Sequence, residues 1–461
     1  MANTVKASGY WAEFPVTYRA EQIATIMQWV AAGESGVVIG ASGTGKSNLA
    51  GFLSSRPEAI IPHVADRTNY YCFLRLDINS LPALTVPFFY RGLVQALQDV
   101  SAELDPDAQQ GMQSLLQGQV NWNDVFEVLT ILQKAHRLVI QQAGKKVIWL
   151  LDRFDGAYRH LDAQTLSSLR SLRDQFKGQL CYVLFTRHPL ARLRDPRTID
   201  EFHEIVAGNT CWMGPMVERD ARWIARQMAE RLRTAFDEQE VTRLIEITGG
   251  LPAFMKLACL ALTEGTLSQE GTGQSWVEQL LERPEFQRNC QEIWQDLSSE
   301  EQNTLSALNV GANETQVNQD SLAYLEQVGL LVRRTPDEKI KIFSPILAAF
   351  ITQQKADATG VLELDPKTRA VLRDGVPLNI ELTAHEDRLL IYFLEHTGEV
   401  CQKDSLMQVI WPEEQIVEGI RDDRLAQLIK RLREKIEPDP AHPIYIQTMR
   451  GRGYRFAQPG E

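Results

Sequence analysis

Two short stretches of this 461-residue chain carry residue types at spacings that do chemistry. In the first, GASGTGKSN, the residues Gly40, Gly43, Gly45, Lys46 and Ser47 fill the pattern G-x-x-x-x-G-K-[ST], with Thr44 inside it and Asn48 just after. Glycines let such a loop wrap with its N–H groups turned inward, which suits phosphate oxygens. On that loop Lys46 would reach the β- and γ-phosphates of a nucleotide, and Ser47 would offer its hydroxyl to Mg²⁺. The second stretch is RGRGYRF, residues 450–456, where arginines alternate with glycines before meeting aromatics. A tight basic turn of this kind suits a polyanion. It equally suits a solvated surface hairpin, so the rest of the chain has to decide.

Each stretch needs elements to position it. Residues 37–39 form a short β-branched run, read as a buried strand entering the loop, and a helix is expected over residues 48–53. The metal needs a second acid on a neighbouring strand, and KKVIWLLDRFD supplies one. Residues 147–151 are continuously apolar, as in a parallel strand buried on both faces. Asp152, at the end of that run, is placed to hold the magnesium water shell. The next position, where many ATPases of this type carry the acid that orients the attacking water, is Arg153; Asp155 follows as a candidate substitute. The pattern therefore favours nucleotide binding over fast hydrolysis, and a slow Mg-dependent ATPase is expected. QLCYVLFTRHPL reads as a further buried strand ending in Thr186 and Arg187, a candidate sensor of the γ-phosphate. YRAEQIATIMQWV reads as an amphipathic helix with Tyr18 and Arg19 near its start. TGGLPAFMKLACLAL puts Gly250 and Pro252 at a helix entry.

In this order the pieces resemble the STAND class of AAA-related P-loop ATPases, over roughly residues 10–355. The resemblance implies ATP or ADP and Mg²⁺ as cofactors, with Arg19 near the adenine and Pro252 packed against it. It makes Arg187 the reader of the γ-phosphate, so that Lys46, Asp152 and Arg187, with Asp155 as the substitute acid, form the expected catalytic set. The implied architecture is an α/β P-loop core, a parallel sheet flanked by helices, over 1–215. An all-α lid follows over 216–285, then an internal winged helix over 286–355 built from SSEEQNTLSALNVG, DSLAYLEQVGLL and VRRTPDEKIKIFSP. Its second helix, 320–331, has no Lys or Arg and reads as structural rather than DNA-reading. Some relatives place a histidine in this winged helix to touch the β-phosphate. Here Phe343, Ser344 and Pro345 stand instead, so an ADP-locked resting state is less secure.

After TQQKADATG the pattern restarts. VLELDPKTRAVLRDGVPLNIEL reads as a small antiparallel sheet. TAHEDRLLIYFLEHTG, with Thr383 three residues before Glu386, reads as a capped helix. QKDSLMQVIW is a second helix and DDRLAQLIKRLREKIE a third, whose polar face carries Arg424, Lys430, Arg431, Arg433 and Lys435. PIYIQTMRGRGYRF closes the set as a hairpin. This succession resembles the OmpR/PhoB family of winged-helix DNA-binding domains over 360–461. The resemblance implies that the helix with Lys430 and Arg431 enters the major groove of double-stranded DNA, and that Arg450, with Arg452 beside it, reaches the minor groove. Thr448 and Tyr454 would contact phosphate or brace the wing. In that family the domain usually follows a phospho-acceptor receiver; here it follows an ATPase, so control by nucleotide state is expected.

Bulk composition narrows the classes. The net charge of −12 argues against coating nucleic acid by charge alone. From Gly360 onward there are 14 Lys and Arg against 18 Asp and Glu, so any DNA contact must come from one face. Six cysteines without a C-x-x-C pair exclude a zinc ribbon and read as buried hydrophobes. No apolar run reaches membrane-span length, so no membrane partner and a cytoplasmic location are expected. The favoured expectation is an ATP-gated, sequence-specific DNA-binding regulator of transcription that self-associates in the ATP state, with RNA polymerase or a separate sensor protein as further partners. The alternative is an AAA-type ATPase of a defence or mobile-element system, with the winged helix as a targeting module.

Overall fold

The computed structural model describes residues 10–64, 68–117, 120–194, 201–267, 273–333, 339–358, 360–365, 369–378, 380–411, 420–438, 440 and 443–459. The chain divides into two compact units, residues 1–304 with 312–347, and 305–311 with 348–461.

The first unit is built on a parallel sheet. Its strands are Gly36–Ile39 (β1), Tyr71–Asp77 (β2), Lys146–Asp152 (β3), Leu180–Thr186 (β4) and Thr210–Trp212 (β5), in the order β2-β3-β4-β1-β5. Every residue of β3 and β4 is buried. That is the reason for their unbroken apolar runs: helices Val86–Asp99, Val125–Arg137 and Ala163–Gln175 add Phe89, Leu132 and Leu169 to the core that β3 and β4 share. Each fully buried side chain of this size contributes about 1.5–3 kcal/mol relative to exposure. Because all the strands run the same way, the phosphate loop after β1, Asp152 at the end of β3 and Thr186 at the end of β4 come to one edge of the sheet. The phosphate-loop helix spans Lys46–Ser55, two residues earlier than expected.

Five helices follow: Glu218–Leu232, Glu238–Thr248, Pro252–Thr263, Gly273–Leu281 and Pro284–Gln295. Pro252 opens its helix, where the missing N–H has no partner to lose. Helices Ser299–Asn309 and Gln319–Gln327 come next, then an antiparallel pair, Leu331–Val332 (β6) and Lys341–Ile342 (β7). The tip of that expected hairpin, 334–338, lies outside the described residues.

The second unit takes in most of helix Pro345–Ala358, which is followed by an antiparallel sheet of Leu362–Leu364 (β8), Val371–Arg373 (β9) and Val376–Pro377 (β10). Helices Ala384–Glu395, Lys403–Ile410 and Ile420–Ile436 follow, with Val400–Cys401 (β11) between the first two. The hairpin Ile446–Met449 (β12) and Gly453–Phe456 (β13) completes a sheet in the order β11-β13-β12. Thr383 and Glu386 form the expected reciprocal cap. Leu425, Leu428, Ile429, Leu432 and Ile436 all point into one core with Leu389, Phe393 and Phe456.

All six cysteines are free, and five are buried. No helix among the described residues is long and apolar enough to cross a membrane.

Candidate nucleotide pocket and nucleic-acid interface

The phosphate loop opens onto a cavity of about 600 Å³. Gly45 caps the following helix at φ 93°, in the left-handed region that a side chain would strain. Lys46 begins that helix, and its Nζ folds back to donate to Gly40 O at 2.5 Å and Ala41 O at 3.0 Å. Burial pulls its ammonium down to about 8, against the attraction of Asp155, while Arg187 adds to the fall. A phosphate in the loop would supply the negative charge this buried cation lacks. The cavity lining agrees: Lys46, Arg153, Arg159, Arg187 and Lys256 face it against the carboxylates of Asp155 and Asp296, so the balance favours an anion. Thr44 is buried, its hydroxyl donating to Ala41 O, whereas Asn48 lines the cavity with Gly43 and Gly45.

Ser47 and Asp152 meet as the motif requires: Ser47 Oγ donates to Asp152 Oδ1 at 3.0 Å. A hydroxyl and a carboxylate are the donor set of a hard divalent cation, so these residues fit Mg²⁺. The other carboxylate oxygen is taken. Arg75 Nη2, from β2, donates to Asp152 Oδ2 at 2.8 Å. Arg75 was not foreseen. The β2–β3 register sets Asp77 opposite Asp152 and Arg75 opposite Leu150, two residues back on the same side of the strands, and no local pattern announces it. Arg153 takes the left-handed conformation and leans toward Ser47 Oγ at 3.4 Å and Asp77 at 3.8 Å.

The end of β4 is held by Asp155, whose Oδ1 and Oδ2 accept from Arg187 N at 2.9 and 3.1 Å, with His188 N at 3.3 Å from Oδ1. The carboxylate expected to replace the missing water-orienting acid is therefore occupied by backbone donors. Thr186 is buried, and its hydroxyl donates to His188 O. Arg187 points into the cavity and pairs with Asp296 at 3.2 Å.

Arg19 is not among the residues that line the cavity. It is 3% exposed, and its guanidinium donates to Gly214 O and Pro215 O at 3.0 Å and to Thr44 O at 2.7 Å. It thus ties the phosphate loop to the segment leaving β5. Pro252 does line the cavity, and the N–H of Ala253 donates to Gly43 O at 3.3 Å. Lys256, one turn further along that helix, also lines it and was missed; its place four residues after Pro252 was the available signal.

In the second unit the basic residues divide. Lys430, on helix Ile420–Ile436, is 79% exposed, and Arg431 beside it is exposed too. Arg450 and Arg452 are exposed at the β12–β13 turn, as is Thr448 on β12. Arg424 lies over the Trp411 ring at 4.9 Å. Arg433 is turned inward: Nε and Nη2 donate to Ile446 O at 3.0 and 2.6 Å, and Nη2 reaches Thr448 Oγ1 at 2.9 Å. Tyr454 is buried in the core. Arg433 and Tyr454 are thus placed as supports of the wing, with their polar or aromatic groups committed to the fold. Glu437, unremarked in the sequence, accepts three N–H groups, from Ile444 at 2.7 Å, Tyr445 at 3.0 Å and Ile446 at 2.6 Å, and so fixes where the hairpin starts. Gly453 passes so close to β11 that a Cβ there would lie 2.1 Å from Cys401 O.

Residues 378–456 match the family model described as "Transcriptional regulatory protein, C terminal". The matched segment runs from the end of β10 through the three helices and the β12–β13 hairpin. These residues form a domain of that family. In this transcriptional-regulator domain the exposed cations Lys430, Arg431, Arg450 and Arg452 sit on the third helix and the wing. Among solved structures, the C-terminal DNA-binding domain of the RstA protein from Klebsiella pneumoniae is similar at 30% identity, covering 21% of this chain and 84% of that one, with a TM-score of 0.18. A Walker-type ATPase of Pyrococcus abyssi matches at 16% identity over 72% of this chain and 95% of that one (TM-score 0.45). The Aeropyrum pernix ORC2 protein, in its ADPNP–ADP complexes, matches at 14% identity over 73% and 94% (TM-score 0.40). The P-loop ATPase fold of the first unit stands on its own sheet order and loop geometry: a parallel sheet with the phosphate loop after β1 and the Ser47–Asp152 contact across its edge. The chain thus joins an ATPase-like fold to a regulator-type DNA-binding domain.

Proposed function

We propose that the chain is a nucleotide-responsive regulator that binds duplex DNA in a sequence-specific manner and controls transcription. The observation that carries this reading is the presence, in one polypeptide, of a formed phosphate loop with its Ser47–Asp152 contact and a transcriptional-regulator domain with its cations outward. ATP or ADP would sit in the cavity with its phosphates on the loop and Lys46. Ser47 and Asp152 would hold the accompanying Mg²⁺, which supplies charge neutralisation. Slow turnover is supported by Arg153 at the position of the water-orienting acid and by the occupied carboxylate of Asp155. A STAND-like partition of residues 1–355 into core (1–215), lid (216–285) and internal winged helix (286–355) is part of the proposal, as are the DNA-binding domain over 360–461 and self-association in the ATP state. Assembly would multiply the weak DNA contacts of a domain with no net positive charge.

The test is binding of the full chain to a pool of random duplex DNA at fixed salt, with ATP, with ADP and without nucleotide. Enrichment of one motif in one nucleotide state, lost on Lys46→Ala, is the expected result. Equal and motif-free binding in every state would sink the regulatory reading and favour an ATPase that acts on other machinery.

A further inference from the structure

The phosphate cavity has an acidic wall, which is unusual for a site that must attract polyphosphate. Asp296, directly after helix Pro284–Gln295, lines the cavity, and Glu292 of that helix reaches the phosphate loop. Glu292 Oε2 accepts from Ser42 Oγ at 2.9 Å, inside the phosphate loop itself. Asp296 pairs with Arg187 Nη1 at 3.2 Å and lies 3.9 Å from His188 Nε2. The Asp296 side chain is only 23% exposed, so solvent screens it incompletely. Its charge also reaches Lys46, where it works against the fall in the ammonium's proton affinity. The one arginine that β4 sends into the cavity is thus already neutralised, and a carboxylate stands beside it.

This arrangement treats nucleotides differently by phosphate number. A diphosphate can be satisfied by the loop N–H groups and Lys46. A third phosphate adds about one further negative charge and extends past Lys46, so it must find another cation. Of the cations that line the cavity beyond Lys46, Arg187 stands at the end of β4, where the γ-phosphate sensor is expected, and Asp296 holds it. We propose that Asp296, supported by Glu292, sets the triphosphate-to-diphosphate preference of the site: ATP binds at full strength only by taking Arg187 from Asp296, whereas ADP leaves the pair intact. The proposal rests on the nucleotide reading of the cavity and deepens it. It makes breakage of the Arg187–Asp296 pair the event by which the triphosphate state differs from the diphosphate state. The same strand-end segment carries a second tie to the elements beyond the wall. Arg192 pairs with the buried Glu301 at 2.6 Å and lies 3.9 Å over the Tyr324 ring, so a change at residues 187–188 is mechanically close to helices Ser299–Asn309 and Gln319–Gln327.

The experiment is competitive displacement of a fluorescent ADP from the full chain by ATP and by ADP, with Mg²⁺, at pH 7. Asp296→Asn removes the competing charge with little change of shape. At the separations and effective dielectric of a half-buried pair it should tighten ATP about tenfold and ADP less than about twofold. Glu292→Gln should act in the same direction and more weakly. Arg187→Ala should weaken ATP alone. Equal shifts for both nucleotides in Asp296→Asn, or weaker ATP binding in both acid variants, would overturn the proposal, the latter by assigning these carboxylates to the metal. A wild-type chain that displaces the probe with neither nucleotide would remove the nucleotide reading itself and this proposal with it.

Discussion

The arginines of the first unit and those of the wing are the same residue put to opposite use. Arg19 and Arg75 spend their guanidinium groups on internal acceptors: three main-chain carbonyls for Arg19, the Asp152 carboxylate for Arg75. Arg450 and Arg452 stand exposed on a glycine-bearing turn, and no ion pair is formed by either among the described residues. The internal arginines connect segments far apart in sequence, so their loss should register as lost stability. The side chains of the wing arginines tie no segments together among the described residues, so their loss should register only when a polyanion is present.

That contrast can be broken by experiment. The largest effect is expected for Arg19→Ala, which leaves the carbonyls of Gly214, Pro215 and Thr44 without their donor in a site that is 3% exposed. It should destabilise the first unit by about 3–5 kcal/mol in urea unfolding followed by tryptophan fluorescence. Glu437→Ala should come next, removing the acceptor of three N–H groups at the base of the hairpin. A loss of about 2–3 kcal/mol is expected in the transition of the second unit. Arg450→Ala should leave both transitions within about 0.5 kcal/mol of wild type. In DNA titrations it should weaken binding by about tenfold and lower the salt slope by about one unit. An Arg19 variant of native stability, or an Arg450 variant that unfolds early, would erase the distinction.

The last predicted effect is a pH dependence. Lys46 titrates at about 8 in the folded chain, against 10.5 for an ordinary lysine. Phosphate favours its protonated form. Nucleotide affinity should therefore be flat below about pH 7 and weaken as pH rises through 8, by up to about tenfold per pH unit. For the empty protein the sign reverses. Between pH 8 and 10.5 the unfolded chain holds the proton that the folded chain has lost, so stability on this group's account rises with pH. Affinity measured at pH 7, 8 and 9 checks the first statement. A profile unchanged from pH 7 to 9 would mean that phosphate does not meet Lys46.

What could be read in advance follows from how local each signal is. Lys46, Ser47 and Asp152 stand at strand ends that hydrophobic runs announce, and the parallel sheet does the rest. Arg75, Asp296 and Glu292 carry no such announcement; only strand register and the course of helix Pro284–Gln295 bring them to Asp152, Arg187 and Ser42. Two readings show the limits of residue type. Arg433 shares the basic face of its helix with Lys430, yet its guanidinium is drawn to Ile446 O and Thr448 Oγ1, because a half-buried cation at a hairpin base gains more from fixed acceptors than from water. Asp155 has the charge to activate water but meets the free N–H groups at the end of β4 first.

Arg153 carries one more consequence, for the paths open to this protein under selection. It enters helix Phe154–His160 in the left-handed conformation, at φ 57° and ψ 42°. That backbone costs most residues about 1–2 kcal/mol and is best tolerated by glycine, asparagine and aspartate. A lineage pressed toward rapid turnover could not install glutamate there as freely as aspartate, whose shorter side chain reaches less far toward the phosphate. Arginine already bears that strain and glutamate would bear it equally, so the twist favours the shorter acid over both, and a saturation library at position 153 selected for stability should be richer in aspartate, asparagine and glycine than in glutamate.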